Sequence, residues 1–335
     1  MRVLFIGGTG NISSDVSVLA LQQGIELYHL NRGKTARARV TDEIPGVHSL
    51  VADYHQTAEM KAVLAGMTFD AVVNWIAFTR QDVEQDIALF SGKTPQYVFI
   101  SSASAYQKPP AHPIITESTP LHNPYWQYSR DKIACERRLE EAYREEGFPA
   151  VIVRPSLTYG TVFPVAIGSW KCYTLADRML KGKPIIVHGD GSSLWTVTDA
   201  RDFAKGFVGL LGNPQTLGNA FHITSDEVLT WNQIYETIAD ALGVKANIVH
   251  ITSDFIAKVN PGKTGGLLGD KAWSMIFDNT KIKRYVPGFR ATIPFREGIR
   301  RTLAWFDEDE RRKVINAAIN EEMDAILAAY ADAVG

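Results

Sequence analysis

The chain of 335 residues contains only two cysteines, Cys135 and Cys172. Two thiols cannot build a disulfide framework and their spacing fits no metal-ligand pattern, so the expected setting is reducing, with no metal site. The sequence also has no uninterrupted apolar run near the ~18 residues of a membrane span. A strand-like run begins at Arg2 and leaves no room for a signal peptide, so the expected location is the cytoplasm. An excess of one charge is missing as well: 35 Lys plus Arg stand against 37 Asp plus Glu, a formal net charge of −2. A dedicated nucleic-acid binder carries a basic excess, so no nucleic-acid partner is expected, although a local basic patch stays open. Repeats and low-complexity tracts are absent. What remains, 45% hydrophobic and 10% aromatic residues with 26 Gly and 15 Pro, is the composition of a globular protein.

The length favours two domains sharing an interface. In the first half, short β-branched runs at 3–6, 25–30, 47–51, 71–74, 97–101 and 150–153 alternate with helix-length stretches. Right-handed crossovers between parallel strands then predict an α/β fold, a doubly wound parallel sheet of the Rossmann kind. A helix over 12–23 ends at Gly24, a good left-handed stop. After Pro155 the elements shorten and Gly and Pro punctuate them. We therefore expect a dinucleotide-binding domain over 1–160, completed by part of 184–225, and a smaller C-terminal substrate domain over 161–335. Ile315, Ile319, Met323, Ile326 and Tyr330 recur at helical spacing and predict an amphipathic helix over 307–333, docked on its own chain or on a second subunit in a homodimer.

The first predicted strand runs into Gly7-Gly8-Thr9-Gly10-Asn11-Ile12-Ser13. Gly7 permits a tight turn and Gly10 a close approach of a pyrophosphate, with the helix N-terminus supplying N–H donors. Ser13 stands where a third glycine is usual, and a tight turn without a ligand is the alternative. Asn31 and Arg32 end the second strand, where an acid would bond the adenosine ribose. An arginine without that acid favours NADP over NAD, against a plain solvated loop residue. Asp53 is placed either to accept from the adenine amino group or to cap the next helix.

Tyr128 and Lys132 stand four apart, on one helical face, and Ser102 follows the fifth strand at the carboxyl end of the sheet. With the glycine turn, Ser101 to Tyr106, Glu136, Arg154-Pro155, Tyr159-Gly160 and Gly189-Asp190-Gly191 leading to Asp202, the chain resembles the extended short-chain dehydrogenase/reductase family of epimerase/dehydratase type. The resemblance implies a Ser-Tyr-Lys site: Tyr128 exchanges a proton with the substrate, Lys132 lowers the phenol pKa and holds the nicotinamide ribose, and Ser102 orients the substrate oxygen. It further implies an NAD(P) groove at Gly7, Gly10, Asn11, Ile12, Asn31, Arg32, Asp53, Tyr54, Ile76, Ala77, Lys132 and Pro155. The implied partner is a sugar or nucleotide sugar, in an epimerase cycle or a simple NADP-linked reduction.

Some positions depart from that pattern. Dehydratases of the family carry an Asp-Glu pair where this chain has Ala103 and Ser104, so 4,6-dehydration loses its acids. Leu157 replaces an asparagine and Trp195 an arginine that hold the nucleotide sugar in epimerases. Trp170 and Trp195 are then candidates for stacking on a sugar, or core residues. Lys171, Arg178 and Arg290 are candidate anion partners, or solvated charges. Asn31-Arg32-Gly33 with the glycine turn also resembles the chloroplast stem-loop-binding group, some of which act on RNA, which leaves a binding or regulatory role as the alternative.

Overall fold

Apolar side chains in the first half divide between two faces with a period of two. Val3 and Phe5 join one buried cluster with Ala71, Val73, Val98, Val151 and Val153, while Leu4, Ile6, Val72, Phe99 and Ile152 join another on the opposite side. Strands buried on both faces are what a parallel sheet between two helical layers requires. A computed structural model, which describes residues 1–33 and 44–335, shows that sheet. Its strands are β1 (Arg2–Ile6), β2 (Glu26–Asn31), β3 (His48–Val51), β4 (Ala71–Asn74), β5 (Tyr97–Ile100), β6 (Ala150–Pro155) and β7 (Ala220–Ile223). They lie in the order β7-β6-β5-β4-β1-β2-β3, all parallel. The order reverses between β1 and β4, which opens a crevice at their carboxyl ends.

Helices Ser13–Gln22 and Ala200–Val208 pack together on one face, burying Val16, Ala20, Phe203 and Phe207. Helices Arg80–Phe90 and Gln127–Glu141 cover the other with Val83, Ile87, Cys135 and Leu139. A third core, built mainly from residues after Pro155, gathers Trp195, Trp231, Tyr235, Ile299 and Phe306. No helix among the described residues is long and apolar enough to cross a membrane.

Two expectations are corrected here. The last helix is Ala317–Val334, capped by the Asn316 side chain, so it starts later than 307 and leaves Ile315 exposed ahead of it. Asp309 instead caps a short turn at Glu310–Arg312. The helix docks on its own chain, with Met323 and Ile326 buried. Arg178 is no anion site: its buried guanidinium donates to the Pro184 carbonyl at 2.9 Å, to Asn320 at 3.0 Å and to Asp324 at 2.7 Å, which clamps that helix. Trp195 is likewise core, fully buried with its ring 5.6 Å from Trp231.

Losing charged hydrogen bonds from a buried site costs about 2 kcal/mol. Arg178→Ala should therefore lower the unfolding free energy by that order and expose 317–334 to protease, as urea melts and limited proteolysis would measure. Lys171→Ala, at an exposed residue, should leave both unchanged.

Candidate active site

Gly7 has φ +83°, a conformation that favours glycine, and a Cβ there would come within 2.4 Å of Ile76. A Cβ on Gly8 would meet the His29 ring at 2.5 Å, so the turn rests directly on that side chain. The Ser17 hydroxyl donates to the Ser13 carbonyl at 2.7 Å, which makes the His29 Nε2–H the donor in its 2.8 Å bond to Ser17. Ser13 fits the third-glycine position because it is buried and its hydroxyl accepts the Gly10 N–H at 2.7 Å. Asn11 ties the turn to the segment after β6, donating to the Thr158 carbonyl at 2.9 Å and accepting the Thr161 N–H at 3.0 Å. The first intrahelical bond runs from Ser14 to Gly10, so the N–H groups of Asn11, Ile12 and Ser13 precede it. A cradle without a Cβ beside helix N–H donors fits a dinucleotide pyrophosphate.

Along the crevice, Asn31 is half-buried and Arg32 exposed at the end of β2. The Asp53 carboxylate accepts the His55 N–H at 3.1 Å, and the next helix, Thr57–Val63, has no side-chain cap, so the capping alternative is not realised. The Tyr54 side chain is core: it is buried, and its hydroxyl donates to the Asp82 carbonyl at 3.1 Å. Ile76 and Ala77 are placed by a residue that the sequence reading missed. Asn74 accepts both of their N–H groups at 2.9 Å and donates to Asp86 at 2.6 Å. Burial pushes the Asp86 carboxyl up to about 7, opposed by its bond from Tyr97. An amide closing an otherwise apolar strand was the available signal.

The Gln127–Glu141 helix presents Tyr128 and Lys132 at the ends of β4 and β5. Lys132 is buried and donates to the carbonyls of Ala77 at 2.6 Å and Ile100 at 2.7 Å. Its ammonium lies 4.5 Å from the centre of the Phe78 ring, 4.7 Å from Phe99 and 5.9 Å from Tyr128. Burial lowers its pKa to about 8. Tyr128 sits between Trp126, at 5.0 Å, and Phe78, at 6.2 Å. Burial raises its phenol pKa, the Ser102 side chain opposes that, and Asp270 adds to it. The expected lowering by Lys132 is thus not the main influence in this arrangement, because the ammonium is turned to backbone carbonyls.

Ser102 follows β5, and its Oγ accepts the Ser104 N–H at 3.2 Å. Below it, Ser101 donates to Glu136, which also takes three bonds from Arg154, at 3.0, 3.1 and 2.5 Å. Pro155, also buried, closes β6 beside that pair. Leu157 is buried in the third core, whereas Trp170 is exposed beside Lys171. Arg290 lines a separate cavity with Asp226 and Lys283, and that lining includes none of Ser102, Tyr128 or Lys132. Among the described residues no cluster of His, Cys, Asp or Glu is arranged to hold a metal ion.

The family model described as NAD dependent epimerase/dehydratase family matches residues 3–224. The chain belongs to that family. It is 24% identical over 295 residues to 2'-dehydrokanamycin reductase of Streptomyces kanamyceticus, covering 87% of this chain and 80% of that protein. It is 25% identical over 262 residues to the chloroplast stem-loop binding protein of 41 kDa b of Arabidopsis thaliana, covering 74% of this chain and 65% of that one. The fold is also that of the UDP-glucose 4-epimerase from Bifidobacterium longum in complex with NAD+ and UDP, with a TM-score of 0.73 at 16% identity over 94% of this chain and 100% of that one.

Burial lowers the His29 pKa to about 4, so the ring under the glycine turn is neutral in the folded chain. Its contribution to stability is complete above the unfolded value near 6.5 and falls as pH drops from there toward 4. The slope is about 1.4 kcal/mol per pH unit for one proton. Urea unfolding of the native chain and His29→Gln across that window should show the native curve falling more steeply. Parallel curves would exclude the assignment.

Proposed function

We propose that the chain is an NAD(P)-dependent enzyme that reversibly oxidises a hydroxyl of a sugar or nucleotide sugar, within an epimerase cycle, through Ser102, Tyr128 and Lys132. The observation that carries the reading is their convergence at the carboxyl ends of β4 and β5, with Lys132 bound to Ala77 and Ile100, its ammonium 5.9 Å from the centre of the Tyr128 ring, and Ser102 just past β5. The nicotinamide, when bound, takes up or returns the hydride. Tyr128 carries the matching proton to or from the substrate oxygen, and Ser102 donates a hydrogen bond to that oxygen. Lys132 spends two N–H groups on carbonyls and keeps one for the nicotinamide ribose. Arg32, with Asn31 in place of an acid, favours NADP.

A second reading is a simple NADP-linked reductase. A phenol raised by burial keeps its proton at neutral pH and is ready to donate to a carbonyl oxygen, the reductive direction. The likeness to 2'-dehydrokanamycin reductase supports the same direction. With Leu157 and Trp195 in the core, neither is available to hold a nucleotide, which favours a sugar derivative without one. An RNA-binding role has the likeness to the stem-loop binding protein behind it. The net charge of −2 and the complete Ser-Tyr-Lys set count against it.

Titrating NAD and NADP into stripped protein tests the cofactor reading: NADP should bind tighter, and Arg32→Ala should remove the difference. Tighter NAD binding with no effect of Arg32→Ala would overturn it. A thermal-shift screen of sugars and nucleotide sugars with cofactor identifies the substrate. Net cofactor turnover marks a reductase, and its absence an epimerase.

A general acid/base contributes about 10² to 10⁴ in rate, so Tyr128→Phe should lose that much hydride transfer with cofactor affinity nearly intact. Lys132→Met should damage both, and Ser102→Ala should cost less than Tyr128→Phe. Tyr125, exposed and followed four residues later by Ser129, is the control whose phenylalanine variant spares proton transfer. A Tyr128→Phe enzyme within a few-fold of the native rate would refute the role.

A further inference from the structure

Two buried hydroxyls behind Ser102 have no part in that reading. Ser129, one residue past Tyr128, donates to the Ser104 Oγ at 2.8 Å. The Ser104 Oγ lies 2.9 Å from the Ser102 Oγ, and the Ser104 N–H reaches the same atom at 3.2 Å. A hydroxyl has one proton and two lone pairs. Because Ser104 accepts from Ser129, its own proton is free for Ser102. With Ser104 as the donor of that contact, the Ser102 Oγ accepts twice, from the Ser104 hydroxyl and the Ser104 N–H, and both of its lone pairs are engaged. Its remaining proton is left for an acceptor outside the chain of serines, and the Ser102 side chain opposes the rise that burial causes in the Tyr128 phenol pKa.

We propose that Ser104 and Ser129 are positioning residues that fix Ser102 as a hydrogen-bond donor to the reacting oxygen. This rests on the Ser102–Tyr128 reading above. Asn123 makes the unit rigid: its amide donates to the Ser104 carbonyl at 2.8 Å and the Gly269 carbonyl at 2.7 Å, and its oxygen accepts the N–H groups of Tyr125 and Trp126 at 3.1 Å. One side chain thereby sets both the Ser104 turn and the start of the helix that carries Ser129. A donor aimed in advance needs no reorganisation as charge develops on the oxygen. An acid at position 104 would invert the arrangement, since a carboxylate only accepts and would draw the Ser102 proton inward.

The test follows the Tyr128 phenol by fluorine NMR in protein grown with a ring-fluorinated tyrosine, its signal assigned by loss in Tyr128→Phe. The other groups acting on this phenol are Lys132, Asp270, Cys135 and the rings of Trp126 and Phe78, and the serine variants leave all of them in place. Ser104→Ala should raise the titration midpoint by about 0.5 to 1 pH unit, as loss of a hydrogen bond to the charged form does. Ser129→Ala should raise it by less, and Ser104→Thr, which keeps the hydroxyl, should restore it. A merely structural role would lower the unfolding midpoint and leave the titration unmoved. Ser129→Ala acts from the helix and serves as the independent measure should Ser104→Ala fold poorly. If Ser102→Ala raises the midpoint while Ser104→Ala and Ser129→Ala do not, the positioning role is overturned alone. If Ser102→Ala leaves it unmoved, the Ser102–Tyr128 reading falls with it.

Discussion

Lys132 donates to the carbonyls of Ala77 and Ile100, and through those two bonds the helix bearing Tyr128 is fixed to the ends of β4 and β5. Burying an ammonium is costly unless it is hydrogen-bonded. The lowered pKa near 8 records that cost, and the rings of Phe78 and Phe99, each within 5 Å of the charge, offset part of it. One turn further on, Glu136 joins the same helix to Arg154 on β6. The helix is therefore anchored across three adjacent strands. Ser101 also donates to Glu136, and since successive residues of an extended chain face opposite ways, Ser102 is turned to the other side. Ser101, the neighbour of Ser102, is thus held by a carboxylate that also pairs with Arg154.

The sheet was legible in the sequence because its apolar residues alternate between two buried clusters, and six of its strands fall where β-branched runs predicted them. Ala220–Ile223 was harder: Ala-Phe-His-Ile carries a histidine whose ring is held between the Tyr106 hydroxyl and the Asp278 carbonyl. The spacing of Tyr128 and Lys132 was readable as one helical face, but the target of the Lys132 ammonium was not. It depends on carbonyls from two strands that meet only in the folded sheet. Arg178 misled for the same reason. An arginine that clamps a helix 142 to 146 residues away is indistinguishable in sequence from one awaiting an anion. The start of the last helix was misplaced because apolar spacing extends past Asn316, whereas the cap at Asn316 decides where helix begins.

Hydrogen-bond direction links the cofactor crevice to the same lysine. Asn74 spends its oxygen on the N–H groups of Ile76 and Ala77 and its nitrogen on Asp86. That fixes the Ala77 peptide, whose carbonyl then accepts from Lys132. Asp86, wholly buried, also accepts from Tyr97 on β5. The loop after β4 is thus held from below by a carboxyl–amide pair and from the side by the ammonium. Both sets of hydrogen bonds run to the loop's backbone, which leaves the side chains of Ile76 and Phe78 free of that duty. Gly7 can have no Cβ for the same reason, since Ile76 is held against it.

The serines behind Ser102 bear on which chemistry this framework runs. A family member that removes a hydroxyl needs an acid beside the substrate, and Ala103 and Ser104 cannot supply one. In the proposed arrangement Ser104 supplies a proton to its neighbour, through a hydroxyl that accepts on one side from Ser129. In the proposed site the proton that Ser102 presents and the proton that the Tyr128 phenol retains act on one substrate oxygen. Two donors meeting a single oxygen stabilise negative charge as it forms there, which is the demand of carbonyl reduction. The reverse step, oxidation of a hydroxyl, needs one of them to accept. In the proposed arrangement Tyr128 is the group able to change roles, because Ser102 has both lone pairs occupied by Ser104.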